Sequence, residues 1–291
     1  AHDKAPSTRL WIMAADAAIA DVAALHAALG HAAAAAAEGL IATFGMTPTA
    51  PETGYGYIEA GEPLPGLAAR RVARFVATPD AATAARFVAD GRHLWNSGMF
   101  VATAATLLAE LERHAPALLS AVRAAVAAAT RDLTFVRLDP AAFAAAPSIS
   151  IDYAVMEKTD HAAVVPASLG WSDLGSWASL YDASPRDAGG NVLVGPVEAL
   201  DSRGCYLRSE GILTAAVGLT DICLVVTDDA VLAVHRSRAQ DVKALVERLK
   251  RQGRTEATEH RRVYRPWGHY EGLILGDRFQ VKKIQVRPGG K

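Results

Sequence analysis

Hydrophobic positions along the chain fall into two regimes. Leu10–Ala15 is a short apolar run that closes on Asp16, the pattern of a buried strand with an acid at its C-terminal end. Asp21 opens an alanine-rich stretch that ends near Gly39, which predicts a capped helix, and Leu40–Phe44 is the next apolar run. Strand, helix and strand at this spacing predict a βαβ unit and hence a parallel sheet. Thr47–Gly61 is rich in Pro, Gly and Thr and reads as a loop that brings backbone close to something. Arg71–Val76 reads as a strand, and Pro79 and Asp80 start a helix that stops at Gly91. Leu94–Phe100 is expected to cross a compact turn. Ala102–Ala129 has helical periodicity broken at Pro116, so two helices are expected. Ser148–Lys158 reads as a further helix entry, and Val164–Pro166 as a strand leading to Gly170.

The second regime begins after Asp187. Val192–Val194, Cys205–Leu207, Leu213–Val217, Ile222–Thr227 and Val231–Val234 are short β runs separated by turn residues, which predicts a separate small β domain. Ser237–Gln252 closes it as an amphipathic helix with Val242, Leu245, Val246 and Leu249 on one stripe. A polar stretch, Thr255–Arg262, leads to two last strand-like runs.

Composition narrows the function classes. Among 291 residues, 51% are hydrophobic and 21% charged, enough for a sizeable core, and one large domain plus a smaller one is the natural division. A net charge of −1 gives no electrostatic footprint for nucleic acid or an anionic membrane. No apolar run approaches the ~20 residues of a membrane span. The start, Ala1-His2-Asp3-Lys4, has no apolar core of a signal peptide and no initiator Met, so the chain is expected to be trimmed at that end. The two cysteines, Cys205 and Cys223, match no metal-ligand spacing and point to a reducing cytoplasm.

Asp16 and Asp173 are the carboxylates that chemistry would use first. Each stands at the end of an expected strand, where ligand sites of open α/β sheets lie. On spacing alone the competing reading, that each is a helix N-cap, is the commoner one.

Eight runs in order then resemble bacterial mannose-1-phosphate guanylyltransferases, especially the bifunctional type that also carries a mannose-6-phosphate isomerase domain. They are P-T-A-P-E-T-G-Y-G-Y-I at Pro48–Ile58, L-W-N-S-G-M-F at Leu94–Phe100, S-I-D-Y-A-V-M-E-K at Ser150–Lys158 and G-W-S-D-L-G-S-W at Gly170–Trp177. G-N-V at Gly190–Val192, Q-D-V-K at Gln240–Lys243, V-Y-R-P-W-G at Val263–Gly268 and F-Q-V-K at Phe279–Lys282 complete the set.

The resemblance implies an α/β fold. Residues 1–185 would form a Rossmann-like, GT-A-like nucleotidyltransferase domain with a mostly parallel central sheet, incomplete on its N-terminal side. Residues 186–258 would form a small left-handed β-helix-like domain, and 259–291 a linker with the start of a truncated cupin. It implies guanylyl transfer from GTP to mannose-1-phosphate with Mg²⁺, giving GDP-mannose for polysaccharide synthesis in the cytoplasm, with no nucleic-acid or membrane partner. Short strand edges in the β domain suggest a homodimer.

Roles follow one residue at a time. Asp173 matches the metal-binding acid of the family's W-S-D-V-G-S run, and Asp16 the acid of its A-D-H run. Arg9 falls in Ser7–Trp11, which resembles part of the family's triphosphate-holding signature without its glycines. Gly56 would offer its backbone amide to a mannose hydroxyl, with Tyr57 beside it in the same run, and Asn96 would hydrogen-bond the sugar. Asp152 and Lys158 would line the mannose-phosphate side. Glu157 and Lys158 read equally well as a solvated helix face, and Tyr153, Val155 and Met156 as packing. Three places depart from the family pattern: the glycine-rich segment, Ala17 in place of the histidine of A-D-H, and Ala77-Thr78 in place of the Glu-Lys of F-V-E-K-P. The departures keep a second expectation open, a catalytically impaired paralogue that binds sugar phosphate or serves as a regulatory or assembly subunit.

Overall fold

The computed structural model describes residues 5–132, 135–258, 262–276 and 278–289. The expectations for residues 1–4, the middle of the polar linker and the final Gly290-Lys291 lie outside them. The chain divides into two compact units, Ala1–Asp173 and Leu174–Lys291.

In the first unit, β1 (Arg9–Ile12) and β2 (Ala18–Ile19) precede α1 (Val22–Ala37). Asp21 caps α1, its carboxylate accepting the Ala24 N–H at 2.8 Å. The alanines on one face, Ala28, Ala32, Ala35 and Ala36, are small enough to bring α1 against the sheet. Then follow β3 (Ile41–Met46), β4 (Tyr57–Pro63) and β5 (Arg70–Val76). Asp80 caps α2 (Ala81–Asp90), which ends at Gly91 in the left-handed conformation, φ 65°. Next come β6 (His93–Thr103), α3 (Ala104–His114) and α4 (Pro116–Ala127), with Pro116 at the first position of α4. The hairpin of β7 (Thr130–Asp132) and β8 (Phe135–Arg137) leads to the short α5 (Pro140–Ala144), a π turn (Asp152–Met156), β9 (Ala162–Ala167) and β10 (Trp171–Ser172).

The six-stranded sheet runs β1-β6-β3-β9-β5-β4, and β4 also pairs with β6. The sheet is mixed, which corrects the expectation of a mostly parallel one. β3–β9 is the parallel pair, and the β1–β6, β3–β6, β4–β5, β4–β6 and β5–β9 pairs are antiparallel. The reason is β6. It lies between β1 and β3, so the first two apolar runs share an orientation without touching, and β2 leaves the sheet to pair with β10.

Leu94–Phe100, expected as a turn, is the middle of this strand of 11 residues. The turn-forming Asn96-Ser97-Gly98 makes a bulge instead: Gly45 faces Asn96 and Thr43 faces Phe100, so two steps on β3 oppose four on β6. Gly98 takes φ 66° there, which a side chain resists. The Ser97 hydroxyl donates to the Phe44 carbonyl at 2.8 Å and the Met99 N–H donates back to Ser97 Oγ at 3.2 Å, so the bulge keeps its buried polar groups paired. Gly45 permits the close approach: a Cβ there would stand 2.5 Å from Leu94 Cδ1 and 2.7 Å from Val164 Cγ2.

α3 is tied to the turn before β9 through Glu110, a buried carboxylate. Thr159 donates to its Oε2, His161 Nδ1 lies 2.9 Å from Oε1, and His114 Nε2 lies 3.3 Å from Oε2. Burial alone would push this carboxyl up. The Thr159 and His161 hydrogen bonds and the charges of His161 and His114 outweigh it and hold Glu110 below the usual range.

In the second unit, Ser176 caps α6 (Trp177–Asp182). The strands β11 (Val192–Val194), β13 (Tyr206–Ser209) and β15 (Ile222–Val226) stack in parallel register, Val192 on Tyr206 on Cys223. A second parallel ladder joins β12 (Val197–Leu200), not foreseen from the sequence, to β14 (Thr214–Val217). Successive coils therefore lie one above another, and β16 (Val231–His235) closes the stack antiparallel to β15. Asn191 caps the first coil: its Nδ2 donates to the Ser202 carbonyl at 2.9 Å and its Oδ1 accepts the Cys205 N–H at 3.0 Å. Cys205 and Cys223 are buried free thiols, and burial pushes Cys223 up to about 11, so it serves packing. A 3₁₀ turn (Arg236–Asp241) and α7 (Val242–Arg251) follow, then a meander of β17 (Arg262–Arg265), β18 (Gly268–Gly276) and β19 (Phe279–Val286). No helix among the described residues is long and apolar enough to cross a membrane.

Two measurements test this account. Asn191→Ala strands a buried N–H and a buried C=O, and is expected to lower stability in urea denaturation by about 2–4 kcal/mol. Because Glu110 is lowered in the folded state, its ion pairing stabilises fully above the ordinary carboxylate range and is lost as pH falls through the lowered folded value. The stability gap between wild type and Glu110→Gln should therefore shrink on acidification through that window.

Candidate functional site

The bulge in β6 aims Asn96 out of the ladder. Its Oδ1 accepts the Gly98 N–H at 3.1 Å, and its Nδ2 donates to Asp152 Oδ1 at 2.9 Å. Its backbone N–H donates to the Gly56 carbonyl at 2.8 Å, which fixes the end of the Gly54–Tyr57 loop on β6. Both ends of the Asn96 amide are thereby held, and one Nδ2 hydrogen remains for a ligand.

Asp152 begins the π turn, in which the Glu157 N–H reaches the Asp152 carbonyl at 2.9 Å. A hydrogen bond over five residues stacks position 157 over position 152. Glu157 lines the same cavity as Asp152 while itself remaining exposed, and Lys158 is exposed outside the cavity lining. Ala154, Val155 and Met156 are buried and anchor the turn.

The cavity, of about 210 Å³, is lined by Gly56, Asn96, Ser150, Asp152, Tyr153 and Glu157 together with β4 and β5 residues and with Ala77 and Thr78 at the exit of β5. Four sequence-selected residues, Gly56, Tyr57, Asn96 and Asp152, thus meet in one place, and the two departing positions, Ala77 and Thr78, meet them there. Tyr57 forms the wall. It is wholly buried, burial raises its hydroxyl above the ordinary value, and that hydroxyl donates to the Glu52 carbonyl at 2.9 Å. Tyr55 packs edge-on against Trp95 at 5.2 Å and against Trp171 at 5.3 Å, joining β6 to β10. Tyr153, expected as packing, is half exposed and lines the cavity, whereas Val155 and Met156 do pack. Ser150 and Glu157 are cavity residues that the sequence did not single out as such. The π turn that directs them leaves no periodicity signal.

Asp16 and Asp173 are brought together by a different device. β2 and β10 pair antiparallel with Ala18 opposite Ser172, so Asp173 follows β10 at the end of the ladder that Asp16-Ala17 precede. The helix-cap reading of both acids falls away, because Asp21 caps α1 and Ser176 caps α6. A hard divalent cation such as those of phosphoryl-transfer sites needs one or two carboxylates and completes its shell with water and phosphate oxygens, a donor set these two acids fit. Among the described residues no three His, Cys, Asp or Glu converge on one point. Arg9 is not gathered with the cavity residues. It pairs with Thr103, seven residues beyond Asn96 on β6, roughly 23 Å of strand.

Comparison with known proteins agrees with this architecture. Residues 1–189 match the family model described as nucleotidyl transferase, 195–249 that of a MannoseP isomerase/GMP-like beta-helix domain, and 252–291 that of the mannose-6-phosphate isomerase C-terminal. The chain belongs to the nucleotidyl transferase family, with a β-helix-like domain after the transferase domain. It is 51% identical over 280 residues to the xanthan biosynthesis protein XanB of Xanthomonas campestris pv. campestris (strain B100), covering 96% of this chain and 59% of XanB. It is 46% identical over 291 residues to a mannose-1-phosphate guanylyltransferase of Escherichia coli K12, covering 99% and 61%. A crystal structure of mannose-1-phosphate geranyltransferase from Thermus thermophilus superposes with a TM-score of 0.71 at 33% identity, covering 86% of this chain and 72% of that one. The chain spans about three fifths of the length of the curated relatives it matches.

Asp152→Ala leaves the Asn96 amide without its acceptor and is expected to lower stability by about 1–2 kcal/mol in chemical denaturation. Lys158→Ala, at an exposed position, should change it by less than about 0.5 kcal/mol.

Proposed function

We propose that the protein transfers a guanylyl group from GTP to mannose-1-phosphate, releasing pyrophosphate and GDP-mannose for polysaccharide synthesis in the cytoplasm. The observation that carries this reading is the convergence of Gly56, Asn96 and Asp152 on one cavity within a nucleotidyl transferase domain. Relatives that carry the names mannose-1-phosphate guanylyltransferase and xanthan biosynthesis protein support it.

In this reading the sugar ring enters the cavity. The Asp152 carboxylate and the remaining Asn96 amide hydrogen engage ring hydroxyls, and the Asn96 geometry is fixed before the ligand arrives, so binding costs little side-chain entropy. Tyr57, Phe75 and Val76 supply the ring with an apolar wall. Asp16 and Asp173 would hold Mg²⁺, which supplies charge neutralisation for phosphates as an oxygen-liganded Lewis acid. Lys158 stands beside the cavity, and Arg9 would contact the triphosphate from β1. A catalytically impaired paralogue has no observation that favours it over the enzyme.

The test is direct. The protein with GTP, mannose-1-phosphate and Mg²⁺ should release pyrophosphate, chelation of the metal should stop it, and Asp173→Asn should slow it by about 100-fold or more. Absence of release above background from the wild type sinks the reading.

A further inference from the structure

We propose that Glu110 is a positioning residue: through Thr159 and His161 it fixes the π turn, and the π turn holds Asp152 where a sugar hydroxyl meets it. The proposal rests on the reading above, in which Asp152 engages the ring. Glu110 is not among the residues that line the cavity. It belongs to the face of α3 that carries Leu107, Glu110, Leu111 and His114 at the three- and four-residue spacing of a helix stripe. Leu107 and Leu111 pack against the cluster that contains Ala154, Val155 and Met156 of the turn. A carboxylate is out of place in such a stripe. Taking it out of water costs free energy that an apolar side chain of similar volume would not, so packing does not account for it. What it adds is direction. Its two oxygens take donors from two residues of one segment: the Thr159 hydroxyl donates to Oε2, and His161 Nδ1 lies 2.9 Å from Oε1. The Thr159 hydroxyl also accepts the His161 N–H at 3.0 Å, which closes the circuit. Two bonds to a planar group set an orientation, where one would set only a distance.

The clasped segment is continuous with the turn. The Thr159 N–H donates to the Val155 carbonyl at 3.0 Å, and the Glu157 N–H to the Asp152 carbonyl at 2.9 Å. At the other end Asp152 Oδ1 accepts from Asn96 Nδ2 at 2.9 Å. The stretch from Asp152 to His161 is therefore held at both ends, by an amide that lines the cavity and by a carboxylate that does not. A five-residue hydrogen-bond step is a rare backbone geometry, and an anchor on each side keeps it. Without Glu110 the C-terminal side of the turn is held by packing alone, and the placing of Asp152 loosens with it.

The experiment is a ligand-observed NMR titration of mannose-1-phosphate, without metal or GTP, with thermal unfolding of each protein alongside. The proteins are wild type, Glu110→Gln, Thr159→Val, Thr159→Ser and Thr103→Ala. Thr159→Val keeps the shape of the side chain and removes the donor, and Thr159→Ser keeps the donor. Thr103→Ala removes the cap of the same helix, whose hydroxyl accepts the Thr106 N–H at 3.1 Å, and leaves the Glu110 bonds in place. Glu110→Gln and Thr159→Val are expected to weaken the sugar phosphate by about fivefold or more. Thr159→Ser and Thr103→Ala should stay within about twofold of wild type, although Thr103→Ala lowers the unfolding temperature. If Glu110→Gln does not fold, the Thr159 pair decides. Wild-type affinity in Thr159→Val overturns the proposal, as does a loss in Thr159→Ser or Thr103→Ala equal to that in Thr159→Val. Failure of the wild type to bind mannose-1-phosphate overturns it as well. No arm contains GTP, so pyrophosphate release by the wild type stands or falls separately.

Discussion

The hydrogen bond from the Ser97 hydroxyl to the Phe44 carbonyl holds open an irregularity in the middle of the β3–β6 ladder, and much of the first unit is arranged around it. A regular ladder here would satisfy the same backbone groups but would fix the face to which Asn96 points by simple alternation. The bulge turns Asn96 toward Asp152 and at the same time lets β6 exchange neighbours, with β4 beside its first residues and β1 beside its last. One distortion thus sets both the sheet order and the direction of a site residue. It is tolerated because Gly98 accepts the left-handed conformation and Gly45 leaves room for Leu94 and Val164.

Features set by local chemistry could be read from the sequence. Asp21, Asp80, Gly91 and Pro116 delimit helices through capping and ring constraints that act over a few residues, and each does so in the structure. Features set by tertiary pairing could not. The turn chemistry of Asn96-Ser97-Gly98 was spent on a bulge, and β12 is only four residues long with an outward Leu200 as apolar as its inward Val197 and Ala199, which hides its alternation. The sheet came out mixed because nothing local says that β6 will lie between β1 and β3.

The site divides along the same line. Gly56, Asn96 and Asp152 were selected by a motif resemblance, and their convergence depends on a 56-residue contact that no spacing rule contains. Asp16 and Asp173 looked like helix caps because an acid after an apolar run usually is one. The caps proved to be residues further on, Asp21 and Ser176, and the two acids instead flank a short ladder.

The π turn at Asp152–Met156 joins the core to the cavity in an unusual way. Its width is held by the burial of Ala154, Val155 and Met156, and its hydrogen-bond step decides that a carboxylate is the group presented at position 157. One of the cavity's two carboxylates is therefore placed there by packing, the other, Asp152, being held by Asn96. A change of side-chain volume at Met156, with no polar atom involved, would be felt by a ligand as the loss of one of two negative charges.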